Sequence, residues 1–142
     1  MAEQDAIPVR VSQVLLIDGE DQQYIQLQEV LPEESDRTPR VLTMVIGRGE
    51  AREISRLLRQ VPSLRPLTHE LLESILEKLG GELREVVIHD LKEHTFFAEL
   101  RIDHQGGSLA VDCRPSDAVA LSLLASKPIF ATEKVLASPP AD

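Results

Sequence analysis

From Ile7 to Ile17 every second residue is apolar except Gln13, and the run stops at Asp18-Gly19-Glu20-Asp21. Alternation with a period of two puts one side of an extended chain into a core, so this stretch predicts a strand ending in a turn. A second extended stretch is predicted over Gln23–Leu31. Pro32–Pro39 is charged and bounded by prolines and reads as a loop, whereas Val41–Ile46 reads as a buried strand punctuated by Gly47 and Gly49. The period then changes. Ala51, Ile54, Leu57 and Leu58 fall on one side of a helix running from Glu50 to about Gln60, a stripe that Val61 extends and Pro62 stops.

Thr68 stands where an N-cap belongs, ahead of a second helix whose Leu71, Leu72, Ile75, Leu76 and Leu79 form one wide apolar face ended by Gly80-Gly81. Two strands follow, Glu82–Leu91 and Thr95–Asp103, joined by a hairpin around Lys92-Glu93. The second sets Phe96, Ala98, Leu100 and Ile102 against Phe97, Glu99, Arg101 and Asp103. Gln105-Gly106-Gly107 turns into a further strand over Ser108–Cys113, and Pro115-Ser116 open a third helix that runs to about Ala125 before Lys127-Pro128 ends it. The pattern predicts an α+β domain over residues 1–137, an antiparallel or mixed sheet packed with three main helices whose apolar faces are buried, and a frayed tail over 138–142. Glu50-Ala51, Ile54-Ser55 and Leu57 match Asp117-Ala118, Leu121-Ser122 and Leu124 at a constant offset, an echo that acidic residues at helix starts already explain.

At 142 residues the chain has the size of one domain and buries enough surface to fold without disulfide or metal staples. Aromatic residues make up 3%, so aliphatic packing fills the interior. Cys113 is the single cysteine, lies in a strand-like run and reads as a buried reduced thiol, which fits a cytoplasmic setting. No stretch approaches a membrane span, and the beginning lacks the basic and apolar regions of an export signal. The formal net charge of −9 repels a phosphate backbone and argues against a nonspecific DNA coat. It leaves room for an enzyme that meets phosphate through a divalent cation held by carboxylates, because the cation inverts the local charge.

Nucleotide-cradling glycine loops, the zinc-protease helix motif and paired Cys-x-x-Cys sites are all missing. What remains is a set of acids and histidines at element ends: Glu50, His69, Glu70, His89, Asp90, Asp112 and Asp117. Oxygen-rich sets of this kind suit Mg²⁺ or Mn²⁺, with histidine available to move a proton. Each residue also has a structural reading, as a charge on a helix dipole or a bond to turn backbone. The densest stretch is Asp112-Cys113-Arg114-Pro115-Ser116-Asp117-Ala118 at a strand-to-helix junction. Helix N-terminal amides there can receive an anion that Arg114 clamps, or Arg114 can simply pair with a carboxylate and fix the turn.

Three ordered motifs resemble the bifunctional nuclease domain family, also catalogued as a domain of unknown function. They are Ile46-Gly47 with Glu50-Ala51, then Arg65-Pro66-Leu67-Thr68-His69-Glu70-Leu71-Leu72, then Val111–Leu121 followed by Pro128-Ile129-Phe130 and Glu133-Lys134-Val135-Leu136. The resemblance covers about Val9 to Leu136 and implies a compact α+β fold that usually self-associates, so a homo-oligomer, a dimer first, is expected. It also implies cleavage of DNA and RNA, with His69, Asp117 and Glu50 as catalytic candidates, Glu50 and Asp117 as ligands of Mg²⁺ or Mn²⁺, and Arg114, Ser116 and Thr68 as substrate contacts. This sequence departs from the family pattern at Glu70, where Asp is usual, at Thr43-Met44-Val45, and at Gly49, a position often aromatic. The alternative function is a non-enzymatic oligomeric regulatory module that binds a partner protein or a small anionic ligand.

Overall fold

A computed structural model of the chain describes residues 6–138. Its strands are β1 (Ala6–Leu15), β2 (Gln22–Glu29), β3 (Val41–Gly47), β4 (Gly81–Lys92), β5 (Thr95–His104), β6 (Gly107–Cys113) and β7 (Ile129–Thr132), and its helices are α1 (Arg48–Leu58), α2 (Thr68–Lys78), α3 (Pro115–Ala125) and α4 (Glu133–Leu136). The strands form one mixed sheet in the order β3-β2-β1-β7-β4-β5-β6. Two antiparallel meanders, β1-β2-β3 and β4-β5-β6, are joined by β7, which runs antiparallel to β1 and parallel to β4. The α+β class stands, with the short α4 added to the three main helices. β7 and α4 are too short to show a period and were not expected from it.

β1 explains its own exception. Its pairing steps from Val11 opposite Leu27 to Gln13 opposite Gln26, so Ser12 is the extra residue of a bulge. Alternation restarts one residue out of phase: Val14 packs on the core, and Leu15, Leu16 and Ile17 are exposed. The strand therefore ends before the Ile17 that strict alternation indicated. β3 is an edge strand and is buried on one side only, through Leu42, Met44 and Ile46, while Val41 and Val45 face out. Both hairpin turns after β4 use consecutive left-handed residues, Glu93-His94 and Gln105-Gly106, which match the twist of the strands they join. On the face of β5 away from the core, Arg101 is buried between Glu99 (3.1 Å) and Glu85 (3.4 Å).

Ile25, Leu27, Met44, Ile54, Val86, Ile88, Val119 and Val135 are fully enclosed in one aliphatic core, each contributing about 1.5–3 kcal/mol by leaving water. α3 is apolar nearly all round, because it packs against β4 and β5 while α1 and α2 flank it. α1 buries Ala51 and Ile54 and leaves Leu58 exposed. α2 corrects the expectation of three buried faces. None of its residues is buried, and Leu71, Leu72, Ile75 and Leu79 are 46–70% exposed. Polar bonds set its rotation: Glu70 accepts from the Leu67 N–H (2.9 Å) and from Ser63 (2.8 Å), and His69 bonds to α3. The N-cap is accordingly Leu67, and Thr68 is the first helical residue. Past Leu79, Gly80 adopts φ +84°, the left-handed C-terminal stop that glycine suits.

Ser138 donates to the carbonyl of Lys134 (2.9 Å) and so belongs to the folded part, whereas the rest of the expected tail lies outside the described residues. Nearby, Glu29 at the end of β2 is 3% exposed and accepts from Arg40 (3.1 and 3.2 Å) and Arg37 (3.2 Å). Arg40 also reaches Glu133 of α4 at 2.6 Å, so one guanidinium ties the 30–40 loop, the sheet and α4 together. The Arg40 hydrogen bonds, joined by Arg37, outweigh burial and hold the Glu29 carboxyl down to about 2. A depressed carboxyl contributes stability that is complete above its unfolded value, near about 4.3, and is lost as pH falls through the folded one. Glu29→Gln should cost about 1–3 kcal/mol at pH 7, with the gap to the parent shrinking as pH falls from about 4.5 toward about 2. Urea midpoints of both proteins across that range check this, and a pH-independent gap would contradict it.

Candidate active site

The starts of three helices meet at one place on the molecule. Glu50 is the third residue of α1 after the N-cap Gly47, His69 the second of α2, and Asp117 the third of α3 after the N-cap Arg114 and Pro115. Free amides and the positive dipole end at such positions favour negative charge, which accounts locally for the acids. Pro115 suits the first helical position because it has no N–H to leave unpaired. A Cβ on Gly47 would overlap the Glu50 carboxylate, so the bare glycine lets that side chain fold back over the first turn of α1.

Asp117 is the hub. Its Oδ1 lies 3.0 Å from Nε2 of His69, and Arg114 donates to both its oxygens, Nε to Oδ2 and Nη2 to Oδ1, each at 3.0 Å. Nη1 of Arg114 also lies 3.7 Å from Oε1 of Glu50. Side-chain exposure rises from 13% at His69 through 23% at Asp117 and 30% at Glu50 to 63% at Arg114. The sheltered pair thus sits under a solvent-facing guanidinium. Burial raises the Asp117 carboxyl, but the bonds from Arg114 and His69 outweigh it and hold the group below the usual carboxylate range. Asp117 in turn raises the Arg114 guanidinium.

Because Asp117 is ionised and accepts only, Nε2 of His69 must carry the proton it shares, which leaves Nδ1 of the neutral ring as the basic nitrogen. This is a carboxylate-oriented imidazole, able to take a proton. The bidentate Arg114–Asp117 pair also fixes the turn, as the alternative reading of that junction held.

The structure brings together His69, Asp117, Glu50 and Arg114 of the expected residues and leaves the others apart. Ser116 is 6% exposed on the inward side of α3, Thr68 is exposed at the start of α2, and neither side chain bonds to the four. Glu70 caps α2 and lies 3.5 Å from Arg56. The main-chain carbonyl of His89 accepts from Thr132, Asp90 pairs with Lys134 and Lys92, and Asp112 lies across from Glu99 on the other side of the sheet. Burial, then nearby Asp117, Asp112 and Glu99, push the Cys113 thiol up to about 12, which rules it out as a nucleophile near neutrality. An open depression of about 780 Å³ lined by Glu29, Arg37, Arg40 and Glu133 shares no residue with this cluster, and its charges already neutralise one another. The sequence motif included Gly47 without a role for it and did not single out Arg56; the Gly47-x-x-Glu50 spacing was the available signal for the first.

As a donor set for a divalent cation the cluster fits only conditionally. Both Asp117 oxygens are engaged, the Arg114 guanidinium stands between Asp117 and Glu50, and among the described residues no three His, Cys, Asp or Glu side chains converge on one point.

A family model described as the bifunctional nuclease domain matches residues 30–141, and the chain belongs to that family. Over 98 residues it is 43% identical to "Uncharacterized protein Rv1829" of Mycobacterium tuberculosis strain ATCC 25618 / H37Rv and to "Uncharacterized protein MT1877" of strain CDC 1551 / Oshkosh. The match takes in 69% of this chain and 58% of each relative, so the chain spans less than two thirds of their length. Among the described residues no helix is long and apolar enough to cross a membrane.

The opposing influences on Asp117 give a direct test. Removing the guanidinium by Arg114→Ala leaves burial opposed by His69 alone, so the Asp117 carboxyl should titrate at a higher pH than in the parent. Its stabilising contribution, complete above the unfolded pKa and lost through the folded one, should then vanish at a higher pH. A carboxyl-detected NMR titration of both proteins measures this, and an unmoved Asp117 midpoint would refute the balance.

Proposed function

We propose that the chain hydrolyses phosphodiester bonds in DNA and RNA at the meeting point of α1, α2 and α3. The observation that carries this reading is the His69–Asp117 contact of 3.0 Å beneath a solvent-exposed guanidinium at three helix starts. Nδ1 of His69 takes a proton from the attacking water as its oxygen bonds to phosphorus. The leaving oxygen departs with its electron pair and is protonated from solvent. Arg114 turns from Asp117 to the phosphate oxygens, and the α3 amides face the charge that develops. Glu50 and Asp117 would be the residues to hold a Mg²⁺ or Mn²⁺ ion once Arg114 is displaced, and the ion would supply further charge neutralisation at the phosphate. Family membership supports the reaction class. Arg48 and Arg52, exposed on α1, and Arg59, exposed at its C-cap, support a nucleic-acid substrate despite the acidic whole.

The second reading, a non-enzymatic oligomeric module, is favoured by the outward apolar side of α2. Asp117→Asn separates the two. Asparagine keeps the shape but removes the negative charge that stabilises the imidazolium formed when His69 takes the proton, which weakens the base. Turnover on single-stranded DNA and RNA should fall about 100- to 10,000-fold while the denaturant midpoint moves little. Parental turnover in the variant would remove Asp117 from catalysis. A parent protein that cleaves nothing, with or without Mg²⁺ or Mn²⁺, would favour the binding module.

A further inference from the structure

α2 carries the proposed base and yet buries none of its own residues. The segment that leads into it adds no anchor: from Arg59 to Thr68 every residue is exposed except the half-buried Ser63. The helix's contribution to the aliphatic core, Leu76, comes two turns after His69. Apolar packing therefore does not decide where the first turn of α2 lies. A guanidinium reaches it instead. Arg56, in the last turn of α1, has a side chain only 15% exposed, and its Nε and Nη2 donate to Glu53 one turn back on the same helix. Its Nη1 donates to the Val61 carbonyl at 2.6 Å, while its own carbonyl accepts from the Val61 N–H at 3.1 Å. Both backbone groups of that connecting residue are thus held by Arg56. Nη2 also lies 3.5 Å from Oε1 of Glu70, the oxygen that accepts from Ser63 and from the Leu67 N–H. Glu70 is the residue next to His69.

We infer that Arg56 is a positioning residue: by gripping Val61 and facing Glu70 it sets the first turn of α2, and so the geometry in which His69 meets Asp117. It acts through other residues and does not touch substrate, because each of its three guanidinium nitrogens is already engaged within the fold. Arg52 on the same helix, by contrast, is exposed. Arginine suits the task since one planar fork serves Glu53, the Val61 carbonyl and Glu70 at fixed angles, which a single ammonium group cannot do. A proton acceptor on a helix without buried residues depends on such a support, as a displacement of about 1 Å at the reacting atoms is enough to cost about 100-fold in rate.

The effect on turnover rests on the nuclease reading; the placement of His69 does not, and is read without substrate. Arg56→Lys is the decisive variant, because it keeps the positive charge and takes away the fork, whereas Arg56→Ala removes both. In each variant of the full chain the Asp117 carboxyl loses a well-placed imidazole and should titrate at a higher pH than in the parent by carboxyl-detected NMR. The Leu67 and Leu71 amides, bonded to Glu70 and to the Leu67 carbonyl, should exchange about ten-fold faster or more, with the circular dichroism spectrum unchanged. On single-stranded DNA, kcat should fall about 10- to 100-fold while KM stays within about three-fold of the parent. If Arg56→Ala does not fold, Arg56→Lys carries the test alone. An Asp117 midpoint that moves in Arg56→Ala and not in Arg56→Lys assigns the effect to charge and overturns the positioning role. Parental amide exchange in both variants overturns it as well, and so does a rise in KM with kcat unchanged, which would put Arg56 on the substrate. Both NMR changes in a protein whose parent cleaves nothing leave the positioning role standing and remove the nuclease reading.

Discussion

Four residues of β7, Ile129–Thr132, are wedged between strands from the two halves of the chain, pairing Ala6–Val9 on one side and Val86–Ile88 on the other. Neither meander closes over a core alone. Once β7 has joined them, the helix that leaves β3 and the helix that leaves β6 come to rest side by side on the same sheet, and their N-termini share one neighbourhood. Glu50 and Arg114 meet although 64 positions separate them in the sequence. Ile129 and Ala131 also enter the main core, so the joint is apolar as well as hydrogen-bonded.

At the shared helix ends the chemistry follows from a balance of opposing terms. Burial works against charge on Asp117, and a bidentate guanidinium with an imidazole restores it. The same bonds that keep the carboxylate ionised decide which nitrogen of His69 is free. Arg114 is the exposed and replaceable partner, Asp117 and His69 the sheltered ones. Charge at the centre is therefore settled locally, whatever the formal −9 of the chain implies for its distant field.

Much of this could be read from residues in order. Period and punctuation located six strands and three helices, and the motif residues Glu50, His69, Arg114 and Asp117 proved to be neighbours. What escaped did so for physical reasons. A bulge at Ser12 shifts phase without leaving a mark in composition, and four-residue elements such as β7 are shorter than any period that could reveal them. The apolar stripe of α2 announces that something must cover it and not what covers it. Its rotation depends on the local bonds that Glu70 accepts from Leu67 and Ser63 and on the bond His69 makes to Asp117 far along the chain. Arg101 occupies a polar position of an alternating strand and is nevertheless buried, because Glu85 and Glu99 close over it.

The wedge has a consequence for how the protein comes into being. On a ribosome, β1 emerges early but cannot complete its pairing until the chain has been made through Thr132. A nascent chain can form the hairpins β1-β2 and β4-β5 locally, since their partners are close in sequence. The single sheet on which α1 and α3 lie side by side is thus complete only once synthesis has passed Thr132.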